Sequence, residues 1–358
     1  MARFRSSPNA FRVMPFVGFL AAGGGSSGIW GFMPPPYHDP TSRYSRGKMS
    51  PMFRKLLVVA ATVFVAAGPG LAWNRAGHMV MGAIAYDELQ LASPATIARV
   101  VAILRRHPQY ESRWKPQLTG MNEQDQERYL FMLAARWPDD IRGDSTFDHP
   151  MWHYIDYPYK PPGQPASVPA PPPDKENMVA AFQRNLAVVQ SAAADSEKAV
   201  ALCWIFHLLG DSHQPLHTVS LFTTQFPDGD RGGNLFFIRP DPSSSASQNL
   251  HAYWDNILLT DDTYNPAGAR AVALENAHPR KSLDELARSG DFETWAHQES
   301  FDLAVSAAYR QGNLKGSSDK NQGIPLPPDY AAAAQQIAER RLILSAYRLA
   351  DFLVKTFP

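Results

Sequence analysis

Hydrophobic residues recur at helical spacing along most of the chain. "HMVMGAIAYDEL" holds an apolar face at the 3.6-residue period and follows Gly77. "SPATIARVVAILRRH" opens on a Ser-Pro start signal and carries an amphipathic pattern. "NEQDQERYLFMLAARWPDDI" predicts a helix as far as Pro138. "DKENMVAAFQRNLAVVQSAA" and "DSEKAVALCWIFHLLGD" read as helices with acid-rich starts. A long amphipathic helix, "DYAAAAQQIAERRLILSAYRLADFLVK", closes the chain. Strand character is confined to "GGNLFFIRPDPSSSASQNLHAYWD", which predicts a short β-hairpin around a Pro/Ser loop, then a new helix. Residues 161–173, "PPGQPASVPAPPP", are a Pro-rich loop. No internal repeat occurs, and no linker divides two cores. The expectation is one mainly α domain spanning residues 73–358, 286 in all.

Before Trp73 the pattern changes. Arg54 and Lys55 precede an apolar run from Leu56 to Ala67, then Gly-Pro-Gly, then Gly70-Leu71-Ala72. This reads as a secretory signal peptide over residues 49–72, cut between Ala72 and Trp73. The run is too short for an ordinary membrane span, so no stable membrane association is expected. Residues 1–48 are rich in Gly, Pro and Ser and show neither period. They read as a non-native or disordered extension, with Met49 or Met52 as the true start. The mature protein would be secreted or periplasmic.

Cleavage changes the charge. The whole chain balances 34 basic against 34 acidic side chains, of which 8 and 1 precede Trp73, so residues 73–358 carry 26 against 33, a net of −7. Such a chain does not bind nucleic acid through a broad basic surface. If it handles phosphates, positive charge must be supplied locally. Cys203, the single cysteine, has no internal partner and reads as a small core hydrophobe.

The candidate chemistry lies in "HLLGDSHQPLH". His207 and Asp211 stand four apart on one face of a helix that is apolar nearly all round. A buried acid and imidazole need partners, and a metal ion would serve both. Gly210 permits close approach of a neighbour, and Pro215 ends the helix, so His217 can face a different ion. The spacing recurs in "NLHAYWD", with His251 and Asp255. Upstream, "ARWPDDIR" offers Asp139 or Asp140, "MWHYIDYP" offers His153, and His78 lies near the mature start. Imidazole and carboxylate donors suit zinc. Cleavage before Trp73 would free an α-amino group with a pKa near ~7.7–8.0. That amine and the Trp73 carbonyl could chelate one ion, with His78 closing on it.

"WNRAGH", "RWPDDIR", "WHYID", "HLLGDSHQPLH", "GGN" and "NLHAYWD", in that order, resemble the S1/P1 nucleases, secreted trinuclear-zinc nucleases and 3′-nucleotidases. The resemblance implies a helical zinc-nuclease fold like that of phospholipase C and P1 nuclease, with three Zn²⁺ per chain. Asp139, His153 and His207 would hold the first zinc. Trp73 and His78 would hold its neighbour, and Asp211 would bridge the two. His217, His251 and Asp255 would hold the third. Asp139, Arg142 and Asp211 become the catalytic candidates, with Arg142 neutralising phosphoryl charge. Tyr154, Asp156 and Asn234 become the base-binding candidates, and His213 at most a supporting residue. The implied reaction is hydrolysis of single-stranded DNA, RNA and 3′-nucleotides to 5′-phosphate products, by a hydroxide held between two zincs. No obligate protein partner is implied. Zinc-dependent phospholipase C is the alternative, although its last zinc ligand is typically Glu where this chain has Asp255. A metal-storage protein would need the ligands but not Arg142, Tyr154, Asp156 and Asn234. The chain departs from the family pattern at Pro138, in its long Pro-rich loop and in lacking disulfides.

Overall fold

The first described helix, α1 (Arg75–Ala92), begins earlier than its apolar pattern. Asn74 caps it, its side-chain oxygen accepting from the Gly77 amide at 2.9 Å. The computed structural model describes residues 73–288 and 290–358. The expected extension and signal peptide, residues 1–48 and 49–72, lie outside the described residues. Pro94 opens α2 (Pro94–Leu104), where a missing N–H leaves no gap. Asn122 caps α3 (Glu123–Asp140), with Glu123 and Asp125 in its first turn. Then follow α4 (Met178–Gln190), capped by Asn177, and α5 (Asp195–Asp211). The shorter α6 (Leu250–Asp255), α7 (Tyr264–Ala277) and the closing α8 (Tyr330–Thr356) complete the main helices.

Two expectations need correction. Helix α3 does not stop at Pro138 but runs two residues further. A proline removes one helical hydrogen bond, and in a last turn little helix remains to be disrupted. The hairpin exists, as β3 (Phe237–Arg239) antiparallel to β4 (Gln248–Asn249), but its strands are not the only ones. The segment β5 (Ile324–Pro325) pairs parallel with β3, and β1 (Pro158–Tyr159) pairs parallel with β2 (Ser220–Leu221). Two-residue strands are too short to show an alternating pattern, and their partners are distant in sequence.

Helix α1 is central and packs against α3, α7 and α8. Its crossing with α3 is so close that a Cβ at Gly82 would lie 2.7 Å from the Phe131 carbonyl oxygen. Helix α5, buried along most of its length, packs on α3 and α4. Phe131 of α3 meets Phe206 of α5 edge to face, with centroids 5.4 Å apart. A second apolar cluster gathers Leu216, Ile238, Leu250, Trp254, Tyr309 and Tyr330 around the short strands. The histidine-rich turn after α5 joins the two clusters. Among the described residues, no helix is long and apolar enough to cross a membrane.

Candidate metal centre

Six segments converge at the C-terminal end of α5. His207 and Asp211 come from α5, His78 from α1 and Asp139 from the last turn of α3. His153 ends a short turn of helix, Pro150–His153. A second turn, Pro215–Thr218, follows α5 and carries His217, while α6 carries His251 and Asp255. All eight side chains are at most 4% exposed.

Their donor atoms form three sets: His78, Asp139 and His207; His153, His207 and Asp211; His217, His251 and Asp255. The Asp211 carboxylate faces three imidazoles, lying 3.2 Å from His78 Nε2, 3.2 Å from His207 Nε2 and 3.3 Å from His153 Nδ1. In the third set Asp255 lies 3.7 Å from His217 Nε2 and 3.5 Å from His251 Nε2. Zinc bonds of ~2.0–2.1 Å in a tetrahedron set ligand atoms roughly 3.3 Å apart. The spacing and the imidazole–carboxylate donors both suit that ion.

Three histidines have their ring orientation fixed from behind. His207 Nδ1 donates to the Ala135 carbonyl at 2.9 Å, His217 Nδ1 to the His153 carbonyl at 2.8 Å, and His251 Nδ1 to the Gly232 carbonyl at 2.7 Å. Each N–H so used leaves Nε2 as a lone-pair donor aimed inward. His217 Nε2, His251 Nε2, both Asp211 oxygens and one oxygen each of Asp139 and Asp255 are buried without a hydrogen-bond partner. Such groups are costly unless a cation meets them. Burial alone would raise the Asp211 carboxyl, but the imidazoles of His207, His153 and His78 outweigh it and hold it well below the usual range. Burial and Arg142 push His153 down to about 3, so its ring is neutral and able to bind a metal. Asp255 is driven well above its usual range by burial, against the pull of His251 and Gln214. A cation is what would keep it ionised.

The alternative residues take different places. Asp139 is fully buried in the first set, whereas Asp140 pairs with Arg136 at 2.9 Å and Arg75 at 3.1 Å. His153 enters the cluster, whereas His149 stacks on Trp152 with centroids 3.8 Å apart. Gly210 does allow close approach: a Cβ there would lie 2.8 Å from His78 Nδ1. Trp73 is buried, and the next residue is tied to the third set. The Asn74 amide donates to the Asp255 carbonyl at 3.3 Å, and its side chain reaches Asn256 and Leu259. The Trp73 nitrogen is a peptide amide in the full chain, so an amine chelate there requires cleavage.

A cavity of about 500 Å³ opens beside the clustered histidines and carboxylates and is lined by His217, His251, Arg142, Tyr154, Asp156 and Asn234. Arg142 reaches it from Asp139, to which it donates at 3.3 Å. Asp156 is pushed up to about 7 by burial and by Asp230 and Asp174. Two residues not singled out from sequence also matter. Gln214 donates to Asp255 at 2.6 Å and accepts from the Leu216 amide at 2.6 Å, so it orients a carboxylate of the third set from inside the motif. Arg231, immediately before "GGN", lines the cavity with φ +56, and its backbone holds Asn234 at 2.9 Å.

Comparison with known proteins agrees with this arrangement. The family model described as S1/P1 Nuclease matches residues 73–358. The chain belongs to the S1/P1 nuclease family. Endonuclease 5 of Arabidopsis thaliana is 29% identical over 191 residues, covering 47% of this chain and 57% of that protein. Endonuclease 4 of the same plant is 28% identical over 191 residues, covering 47% and 56%, and endonuclease 3 is 27% identical over 173 residues, covering 44% and 51%. The chain thus matches only about half the length of these relatives. The mainly helical fold with a few short strands is that expected of an S1/P1 nuclease.

Proposed function

We propose that the protein is a secreted zinc-dependent endonuclease and 3′-nucleotidase acting on single-stranded DNA and RNA. The observation that carries this reading is the convergence of buried, unpartnered imidazole and carboxylate atoms beside a cavity that holds Tyr154, Asp156 and Asn234. The family match and the relatives named endonuclease support it.

His78, Asp139, His153, His207 and Asp211 would hold two ions, with Asp211 between them. His217, His251 and Asp255 would hold a third. Trp73 would complete the second site through its amine and carbonyl once residues 1–72 are removed. Zinc bound there would supply Lewis-acid activation of water and of the phosphate. Arg142, partly exposed to the cavity, lies where it can neutralise charge on phosphoryl oxygens. Tyr154 offers a ring on which a base can stack, which requires the base to be free of a duplex. Asp156, when ionised, accepts hydrogen bonds from a base N–H edge, and Asn234 helps close the pocket. Gly232 and Gly233, at φ +61 and +85, let the backbone pass close to His251. Products would carry 5′-phosphates.

Turnover of single-stranded DNA, with a short-chain phosphatidylcholine as the control substrate, tests the reading. Zinc-dependent cleavage of DNA alone is expected. Cleavage of the phospholipid in preference to DNA would make the protein a phospholipase C, and zinc binding without turnover of either would make it a metal-binding scaffold.

A further inference from the structure

Arg75 stands in the motif "WNRAGH", yet the metal centre gives it no task. Its side chain is 44% exposed, with Nε 3.1 Å from an Asp140 oxygen. Three more arginines gather at the same end of α3. Arg136 holds both Asp140 oxygens at 2.9 Å and lies 3.5 Å from Asp262. Arg113, exposed in the helical turn Tyr110–Trp114, donates to the Asp140 carbonyl at 3.3 and 3.4 Å and to the Gln109 side-chain oxygen at 3.4 Å. Arg142 donates to Asp139 at 3.3 Å and lines the cavity. Four segments thus bring four guanidinium groups to two successive residues.

The C-terminal end of a helix favours cations, but that partial charge does not neutralise four of them. Asp139 faces the first ligand set, which leaves Asp140 and Asp262 as the carboxylates paired with the group. Arg113 contacts only neutral acceptors, and Arg75 shares an Asp140 that Arg136 already holds with two nitrogens. The acids of the next loop are turned onto its own backbone: Asp144 accepts from the Thr146 amide at 2.8 Å and Asp148 from the Gly143 amide at 2.7 Å. A chain with a net charge of −7 over residues 73–358 therefore carries a local cationic surplus that runs outward from Arg142. The guanidinium fork is always charged and fits two phosphate oxygens at once.

We propose that Arg75 and Arg113 form a docking surface for the sugar-phosphate backbone of a single strand, outside the cavity that takes the scissile phosphate. The proposal rests on the nuclease reading. Phosphate contacts fix the position of a strand and carry no sequence information, so the surface serves every sequence alike. A 3′-nucleotide has one phosphate, which the cavity takes, so the surface acts only on longer substrates.

The probe is a dye-labelled oligothymidylate of about twelve nucleotides with phosphorothioate linkages, which keep the backbone charge and resist hydrolysis. Fluorescence anisotropy over a range of salt concentrations should compare wild type with R75Q/R113Q, with R75K/R113K and with Arg113→Gln alone. Each phosphate contact contributes about 0.7 to the slope of log affinity against log salt for a single strand. The double Gln variant should therefore lose about 1.4 of that slope and bind about tenfold more weakly near ~0.15 M salt. Arg113→Gln, which breaks no ion pair, should lose about 0.7. The double Lys variant keeps both charges and should keep the slope. With an unmodified strand as substrate, the double Gln variant should lose far more kcat/KM than it loses on 3′-AMP. An unchanged slope in the Gln variants, or a slope equally flattened in the Lys variant, would overturn the surface. An equal fall on both substrates would place the effect at the metal centre and overturn it too. The two readings fail separately. Wild type that cuts single-stranded DNA while the Gln variants keep its slope refutes the surface alone. Wild type that cuts no DNA, yet binds the strand with a slope that the double Gln variant loses, refutes the nuclease reading and supports the surface.

Discussion

Gly210 shows how much depends on single atoms. A methyl group there would sit 2.8 Å from His78 Nδ1 and 2.9 Å from its Cε1. Gly210→Ala is therefore expected to displace His78 and lower the zinc bound by the two sets around Asp211, while the third set stays loaded. Elemental analysis after mild chelation checks this, and full retention of zinc would show that the His78 ring adapts. Tyr154 lies on the cavity and not in a ligand set. Tyr154→Ala should lower single-strand cleavage about tenfold to a hundredfold on the basis of stacking energy, with zinc content unchanged. Full activity in that variant would misplace the base pocket. The pairs His207–Asp211 and His251–Asp255 were legible in the sequence because a four-residue spacing on a helix forces two side chains onto one face. The carbonyls of Ala135, His153 and Gly232 that orient the rings were not, since backbone partners leave no mark on residue identity. Gln214 was hidden in another way: it stands inside the motif, but only the fold shows that its amide faces Asp255.

Helices with a full apolar stripe could be read directly, but α7 could not. Its buried face is Ala267, Gly268, Ala271 and Leu274, mostly residues too small to mark a period. The capping residue Asn74, likewise, starts α1 ahead of its apolar pattern. One contact between elements has direct bearing on the site. His213 points away from the metal sets, donating from Nδ1 to the Leu209 carbonyl at 2.8 Å and accepting at Nε2 from Arg348 at 2.7 Å. Burial, with Arg341 and Arg348 beside it, holds the ring neutral. Arg341 and Arg348 of α8 share Glu299, at 2.6 and 2.7 Å, and Ser300 donates to the Ser212 carbonyl at 2.6 Å. This brace fastens α8 to the turn between Asp211 and His217. Glu299→Gln leaves two largely buried arginines short of a counter-charge, and losing one partner of such a group costs about 3–5 kcal/mol at most. Burial tends to raise Glu299, but the hydrogen bond from Arg348 and the charge of Arg341 win and lower it. A lowered carboxylate stabilises the fold above its unfolded value of about 4.5, and that contribution is lost as pH falls through the folded value. The Tm gap between wild type and Glu299→Gln should thus be widest near neutral pH and shrink as pH falls below the unfolded value. A gap that stays constant with pH would show that the charge of Glu299 is not what holds the brace.

For the whole molecule, the net charge of −7 over residues 73–358 argues against a broad basic track for nucleic acid. Positive charge supplied by metal ions in the proposed centre, with Arg142 and Arg231 at the cavity, would give a local answer to a global deficit. The same cluster, once loaded, would act as a staple where disulfides are absent, since it would tie six segments together around side chains that are costly without a cation. Processing belongs at this scale as well. The family match begins at Trp73, and a chelating amine exists only if the chain begins there. N-terminal sequencing of active material should read Trp-Asn-Arg. An active protein beginning even one residue earlier would contradict the amine-ligand role.

Zinc content per chain, by elemental analysis of that same active protein, bears most directly on the central claim. Three zincs are expected, with Asp255→Ala losing mainly one and Asp211→Ala disturbing two. A fully active wild type with a single zinc, or equal losses from both variants, would contradict the trinuclear centre and the place of Asp211 between two of its ions.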